Sequence, residues 1–497
     1  MSSRLTIGIA LLLSALVIGR AFPFVWWPAA HFDSDQAIVG LMARHISEGR
    51  AFPLYFYGQP YMLAVEAYLA APVMALIGPT VTALKVPLVA INIAAVLVLW
   101  RALIRDAALA PAWAAVAVLP LALPAAGVAA RVTEANGGNV EPWLYVALIW
   151  TLRHRPWALG VVVGIGTLHR EFTLYGVAAL AALDLATLAA GPDRLTRARA
   201  LARRWTVTGL AALAVFSAAA TAQPFASALG PGTAGDDPML LSMSGDPTGR
   251  LCLAPERWPD RARTLWFDHL PRLVGGAPDP LREYGVLTGV YSGQAGLGPW
   301  VLAIVVFGLA AGAWYGWQVR RGLAPAPAAH IGAYLVLVGL GSTLVYGFAT
   351  CSEIRVATMR YNLLGVLIPV GALTMALQAG SAVAVRAGLA AAVTLWCVVN
   401  TLDVAALARE YARHPLPDER QAVADALERR GITVARSSFR NAYHLTFITA
   451  ERVRVTATDF VRIRAYAEEA ASVGAPTLAE APCGDGPHLG GTLYLCR

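Results

Sequence analysis

Residues 5–36 read LTIGIALLLSALVIGRAFPFVWWPAAHFDSDQ, an apolar run followed at once by a short polar sequence that carries two aspartates. The run Leu5 to Phe22 is about 18 residues long, close to the length that an α-helix needs to cross a bilayer. No convincing small-residue cleavage site follows it, so we expect a retained span and not a signal peptide. Arg4 precedes the run, and the positive-inside rule therefore predicts a cytoplasmic amino terminus and an outer-face position for Asp33 and Asp35.

The composition predicts the same class of protein over the whole chain. The 497 residues are 57% hydrophobic and 14% charged, with a mean hydropathy of +0.56. These values exclude a soluble globule and predict a polytopic α-helical membrane protein. The formal net charge of +8 comes largely from arginines clustered between apolar runs. Such clusters set membrane topology, so nucleic acid is not an expected partner.

Placing the arginine clusters on the cytoplasmic side predicts about eleven transmembrane helices with the carboxyl terminus outside. The run Tyr61 to Gly78 contains Glu66, and we lay it on or partly in the outer leaflet. Residues 1–405 then form a transmembrane domain with outer loops at 23–82 and 223–296. The predicted spans are 5–22, 83–103, 107–129, 141–152, 156–170, 172–190, 206–222, 297–318, 329–349, 361–378 and 387–405.

The tail 406–497 is charged and alternating, unlike the rest of the chain, and predicts a small α/β domain on the outer face. Asp418 to Arg430 is typical of a helix closed by Gly431. Alternating apolar residues predict strands, which are 432–434, 453–457 and 492–496.

Four of the five cysteines fall on the predicted outer side, where an oxidising environment allows disulfides. We favour Cys252 with Cys351 and Cys483 with Cys496, among three possible connectivities. Free buried thiols are the alternative.

The acidic pair opens an amphipathic helix that we expect to run from Asp35 to Glu48 along the membrane surface. In the first turn of that helix, backbone N–H groups and the helix dipole favour an ionised carboxylate, suited to a base or a metal ligand. The alternative is that both aspartates only cap the helix, which is the commonest use of Asp before an apolar run.

An aromatic and polar segment, Tyr57-Gly58-Gln59-Pro60-Tyr61, follows in the same outer loop. An apolar span, an acidic motif opening an amphipathic helix, this segment, many further spans and an outer carboxyl-terminal domain together resemble the GT-C superfamily. More narrowly, the chain is similar to bacterial family 39 glycosyltransferases, which are dolichyl-phosphate-mannose-protein mannosyltransferase-like. The resemblance is best over residues 30–105 and loose in the tail. The Asp-Ser-Asp motif departs from the commoner Asp-Glu of that family.

The resemblance implies a hexosyl or pentosyl transferase in the bacterial cytoplasmic (inner) membrane. Its partners would be a polyprenyl-phosphate-linked sugar donor, membrane lipids, and a lipid, glycan or protein acceptor met on the periplasmic side. The resemblance makes Asp35 the preferred catalytic base, with Asp33 as the alternative. A multi-pass lipid or solute transporter or flippase is the other hypothesis, but the chain has few mid-membrane polar groups and no internal repeat.

The departing polyprenyl phosphate needs positive charge from Arg, Lys or a divalent cation such as Mg²⁺ or Mn²⁺. Arg360 and Tyr361 resemble an Arg-Tyr element of these enzymes, although an interfacial anchor paired with Glu353 would give Arg360 the same position. The remaining candidates for substrate binding are His169, Arg170, Tyr57, Gln59 and Tyr61.

His169 and Arg170 lie in a predicted charged turn between two spans. Solvation of such a turn would explain these polar residues without any contact with a substrate. Glu141 is a candidate metal ligand together with Asp35, while Pro142 at a first helical turn explains that segment without a metal.

Overall fold

The computed structural model of the protein describes residues 3–27, 31–59, 61–190, 193–226, 253–275, isolated positions between 306 and 321, and residues 330–379, 383–415, 418–483 and 486–496. The described part of the chain is mainly helical, with one small sheet near the carboxyl terminus. The helices are α1 Ser3–Trp26, α2 Ser34–Ser47, α3 Val65–Ile77, α4 Val81–Asp106, α5 Pro111–Ala122, α6 Ala126–Arg131, α7 Glu141–Leu152, α8 Pro156–His169, α9 Thr173–Ala190, α10 Arg194–Ala222, α11 (Trp258–Thr264, a π-helical turn Leu265–His269, and Leu270–Val274), α12 Ile331–Phe348, α13 Leu367–Ala379, α14 Val383–Arg413, α15 Glu419–Arg429, α16 Phe439–Ile448 and α17 Arg464–Ser472. The described residues also include three 3₁₀ segments, Gln223–Phe225, Pro255–Arg257 and Val356–Val366.

Six helices in the described residues are long and apolar enough to cross a membrane. They are Arg4–Trp26, Val81–Asp106, Arg194–Phe225, Ile331–Phe348, Thr358–Ala379 and Val383–Arg413. The predicted spans 141–152 and 156–170 correspond to α7 and α8, which are apolar but shorter. The predicted span 297–318 falls almost entirely outside the described residues. α3 has 13 residues, about 20 Å of helix, which is too short to cross a bilayer on its own.

The predicted span 107–129 is wrong as a single helix. α5 ends at Ala122, and α6 begins only at Ala126. Pro124 has no N–H to donate and disfavours helical backbone in the residue before it, Leu123, which has φ −129° and ψ 62°. After α6, residues 132–140 form an irregular, buried segment that ends at α7.

α2 is held between the membrane helices and the carboxyl-terminal unit. One of its faces packs on α3 and the other on α16. Its core-facing residues, among them Ile38, Leu41 and Met42, belong to one large apolar core that also includes α4, α7 and residues of the sheet. The amphipathic helix predicted from Asp35 to Glu48 is therefore confirmed, but it is buried by protein on two sides.

The carboxyl-terminal sheet has the order β2-β1-β3-β5-β4. β1 pairs in parallel with β2 and β3, and the crossovers pass through α16 and α17. β5 pairs antiparallel with β3 and β4. The strands are β1 Val434–Ser437, β2 Arg454–Ala457, β3 Thr477–Ala479, β4 His488–Gly490 and β5 Leu493–Cys496.

Most of the tail elements match their predictions. Asp418 caps α15 by accepting a hydrogen bond from the N–H of Gln421, while β1 begins at Val434 and not at Ile432. The predicted disulfide Cys483–Cys496 is present. The other predicted pair involves Cys252, which lies outside the described residues.

Candidate functional site

The two aspartates of the motif have different environments. Asp33 is exposed and is the N-cap of α2, accepting a 3.0 Å hydrogen bond from the N–H of Gln36. Asp35 lies in the first turn and is 34% exposed, with Oδ2 3.7 Å from Nη1 of Arg360. Capping therefore accounts for Asp33, whereas Asp35 has a charged partner from a distant part of the chain.

Three arginines from separate parts of the chain act on Asp35. Burial first, and then the neighbouring carboxylate of Asp33, raise the pKa of Asp35 above its ordinary value. The positive charges of Arg360, Arg462 and Arg170 oppose that rise. A carboxyl group with a raised pKa is a stronger proton acceptor once ionised, as general bases require.

Arg360 and Tyr361 form one unit beside Asp35. The Tyr361 hydroxyl accepts a 3.3 Å hydrogen bond from Nη2 of Arg360, and the Tyr361 ring packs edge-on against Phe172 at 6.1 Å. The alternative pairing of Arg360 with Glu353 is not the one found, because Glu353 pairs with Arg355 at 3.4 Å.

A second group of acidic and histidine side chains comes from α3, the first residue of α7 and the last residue of α8. The ligand atoms of Glu66, Glu141 and His169 all lie within 4.8 Å of one another, and the three residues are buried. Both carboxylate oxygens of Glu141 and Nε2 of His169 meet no hydrogen-bond partner among the described residues. Asp35, the expected companion of Glu141, is not a member of this group.

The backbone around this group is shaped to hold it. The carboxylate of Glu66 accepts hydrogen bonds of 2.7 Å from the N–H groups of Gly137 and Gly138. These glycines have φ +70° and +107°, which other residues rarely adopt. Nδ1 of His169 lies 2.9 Å from the Tyr145 hydroxyl, a contact that orients the ring and points Nε2 at the carboxylates.

Two carboxylates and an imidazole, of which the Glu141 oxygens and the His169 nitrogen are unpartnered, are a donor set that fits a divalent cation. Glu66 is not among the ligands predicted from the sequence, where it stands out because it interrupts an apolar run and follows the aromatic and polar segment. A carboxylate within an apolar run usually has a partner, and this rule could have identified Glu66 as a site residue.

The other predicted substrate-binding residues lie around these two groups. Arg170 is buried and donates a 2.9 Å hydrogen bond to the Asn136 carbonyl. Tyr57 is also buried, with its hydroxyl 2.9 Å from Nδ1 of His45. Tyr61 is half-buried, and Pro60 lies outside the described residues. Tyr57 thus attaches its loop to α2, and Arg170 holds the segment before α7, in addition to any contact with a substrate.

Lys85 and Arg462 were missed by sequence reasoning. Lys85 is fully buried on α4, and its Nζ donates hydrogen bonds to the carbonyls of Phe24 at 3.0 Å and His31 at 2.7 Å. It therefore fixes both ends of the connection between α1 and the acidic motif. Arg462 comes from the carboxyl-terminal unit and approaches the loop at Gly58 and Gln59.

The fold is similar to that of ArnT from Cupriavidus metallidurans. The apo crystal structure superposes with a TM-score of 0.55 at 11% sequence identity and covers 98% of this chain and 97% of ArnT. The structure of ArnT bound to undecaprenyl phosphate gives a TM-score of 0.54 at the same identity and coverage. No protein-family model and no curated protein sequence matches the chain. The predicted fold class, a polytopic helical protein with a small carboxyl-terminal α/β unit, is confirmed, and the fold is shared with ArnT.

Proposed function

We propose that this protein is a membrane glycosyltransferase that moves a sugar from a polyprenyl-phosphate donor to an acceptor hydroxyl at the outer face of the cytoplasmic membrane. Within the GT-C fold, we infer a family 39-like enzyme. The observation that carries the proposal is the placement of Asp35 at the start of α2, in contact with Arg360. The likeness to ArnT, which has been crystallised with undecaprenyl phosphate, supports a polyprenyl-linked donor.

The reaction assigns Asp35 as the general base. The acceptor oxygen attacks the anomeric carbon, its proton passes to the Asp35 carboxylate, and the bond between the anomeric carbon and the phosphate oxygen breaks. The helix start and Arg360 orient the carboxylate and favour its ionised form.

Polyprenyl phosphate leaves with one more negative charge than it carried in the donor. Arg360 is within reach of a phosphate bound beside Asp35, and its planar guanidinium suits two phosphate oxygens. The Tyr361 hydroxyl is a further donor at the same position. Stabilising the developing charge at the leaving oxygen lowers the barrier more than it strengthens donor binding.

Glu66, Glu141 and His169 would hold a divalent cation, and the histidine nitrogen favours Mn²⁺ over Mg²⁺. When bound, such an ion would add positive charge near the phosphate. Asp35 is not a member of this group, so its carboxylate would remain available for the proton.

The test is an assay of membranes against a panel of radiolabelled undecaprenyl-phosphate hexoses and pentoses. We expect Asp35→Asn to abolish transfer with a normal protein level. Asp418→Asn, which alters another capping aspartate on the predicted outer side, is the matched control and should leave transfer unchanged. Normal transfer by Asp35→Asn would remove Asp35 from the mechanism. Lipid or solute movement in vesicles, with no transfer from any donor, would favour the transporter hypothesis instead.

A further inference from the structure

The carboxyl-terminal unit is packed directly on the helix that carries Asp35. The Ser34 hydroxyl donates a 2.9 Å hydrogen bond to the Arg440 carbonyl at the start of α16. Nearly two turns further along α2, the ring of Phe447 lies against Gly40 so closely that a Cβ there would be 2.5 Å from it. The position of Asp35 is therefore set in part by residues more than 400 positions later in the chain.

The far end of α2 is fixed by the same unit. Glu451 accepts hydrogen bonds from the Tyr466 hydroxyl at 2.6 Å and from Nε2 of His45 at 3.2 Å, and it pairs with Arg50. Because both ends are anchored, α2 cannot tilt relative to the sheet without breaking buried polar contacts.

Arg462 extends this attachment into the substrate loop. It is 7% exposed, and its Nη1 donates a 3.3 Å hydrogen bond to the Gly58 carbonyl. In the amide orientation that satisfies both groups, the Gln59 side-chain oxygen accepts from Nη1 and Nη2 at 3.2 and 3.1 Å. Gly58 has φ +71°, and a Cβ there would lie 2.9 Å from the Cα of Arg462.

The backbone of Arg462 is itself fixed. Its N–H donates a 2.5 Å hydrogen bond to the hydroxyl of Tyr443, on the helix that packs against α2. Arg462 therefore connects the loop that carries Gln59, through its guanidinium, with α16, through its backbone, and α16 packs on the helix that carries Asp35. Its charge also acts on the Asp35 carboxylate, along with those of Arg360, Arg170 and the opposing Asp33.

We propose that Arg462 is a positioning residue of the active site, through which the carboxyl-terminal unit fixes the Gly58–Gln59 turn and adds positive charge on the Asp35 side. This inference rests on the proposed function. It gives the carboxyl-terminal unit a part in the chemistry, because removing one of its side chains would change both the loop and the base.

The test compares Arg462→Gln with Arg452→Gln in the full-length protein in lipid nanodiscs. Arg452 is on the same unit, is 61% exposed and pairs only on the surface, with Glu428 at 2.9 Å, so it is the matched control. The first readout is hydrogen exchange of residues 54–64, where the N–H of Phe56 bonds to the Met62 carbonyl and that of Gln59 to the Phe56 carbonyl. We expect exchange at least about tenfold faster in Arg462→Gln than in the control.

The second readout is sugar transfer as a function of pH, with the undecaprenyl-phosphate donor that the wild-type protein uses fastest. Loss of a nearby positive charge raises the pH at which the base ionises. The acid limb of the kcat/KM profile, where activity rises with pH as the base ionises, should therefore move up by about one pH unit. Arg462→Lys keeps the charge but not the fork geometry. We expect it to restore the acid limb while the rate stays below wild type.

The outcomes separate this inference from the proposed function. Exchange in Arg462→Gln equal to that of the control overturns the positioning role, whatever the activity. If the acid limb of Arg462→Gln stays at the wild-type pH, the electrostatic part of the proposal is overturned. The same holds if Arg462→Lys displaces the acid limb as far as Arg462→Gln does. If the wild-type protein transfers no sugar from any donor, the proposed function fails. The hydrogen-exchange measurement then still tests whether Arg462 fixes the loop.

Discussion

Replacing Arg360 by glutamine should move the acid limb of sugar transfer to higher pH. Two unit charges 3.7 Å apart interact by about 4.5 kcal/mol at an effective dielectric constant of 20 and by about 1.1 kcal/mol in bulk water. Arg360 and Asp35 are 25% and 34% exposed, so solvent screening brings the value toward the lower figure. About 1.4 kcal/mol corresponds to one pH unit, and we expect a displacement of about 1–2 units.

The direction follows from the charge. Arg360 stabilises the ionised carboxylate, so its removal raises the pKa of Asp35 and a higher pH is needed to produce the base. The rate at the optimum should also fall, because the leaving phosphate loses a donor that acts on its developing charge.

The assay is kcat/KM against pH in purified protein, with Arg355→Gln as the control. Arg355 lies five residues earlier and pairs with Glu353, and the two side chains are 62% and 77% exposed. The Arg355→Gln substitution therefore removes the same charge from the same loop, at a residue that pairs with Glu353 and not with Asp35. The reasoning is refuted if the acid limb of Arg360→Gln stays at the wild-type pH, or if Arg355→Gln displaces it as far as Arg360→Gln does.

Three further predictions concern the metal group, the glycine turn and the anchor of α2. Glu141→Gln should weaken Mn²⁺ binding by at least about tenfold in calorimetry, whereas Glu171→Gln, beside the group, should not; equal affinity in both would contradict the ligand assignment. Gly138→Ala should destabilise the fold by about 2–4 kcal/mol, since its φ is +107° and a Cβ would lie 2.4 Å from a buried arginine side chain. Gly209→Ala, which meets nothing within 4 Å, should not lower the melting temperature, and an equal loss in both would count against the steric argument. Hydrogen bonds that Glu451 accepts hold its pKa well below the ordinary value despite burial. Its contribution to stability is therefore present above about pH 4.5 and is lost as the pH falls. Glu451→Gln should show a smaller acid-induced drop in melting temperature between about pH 5 and 3 than the wild type, and a parallel drop would exclude this role.

Local patterns were sufficient for many elements of the fold. Helices α7 and α8 lie where runs of apolar residues predicted them, and the carboxyl-terminal disulfide joins the expected cysteines. The predicted span 107–129 failed because a single proline, Pro124, outweighs the hydropathy of its neighbours.

For the site, the sequence located Asp35, Arg360 and His169 but not their partners. Glu141 was expected beside Asp35, and it lies instead with Glu66 and His169. The alternative pairing of Arg360 with Glu353 is not found, and Arg360 instead contacts the acidic motif. Each of these partnerships joins residues far apart in the chain.

By itself, the sequence determined the membrane class, the order of most helices and the position of the acidic motif after the first span. These properties depend on the hydropathy, periodicity and turn chemistry of neighbouring residues. Only the tertiary structure decided which carboxylate has charged partners, which side chains converge as a candidate cation site, and that Arg462 reaches the loop of Gly58 and Gln59. The physical reason is that such contacts form where helices and the carboxyl-terminal sheet pack together, and close packing brings together residues that no local pattern relates.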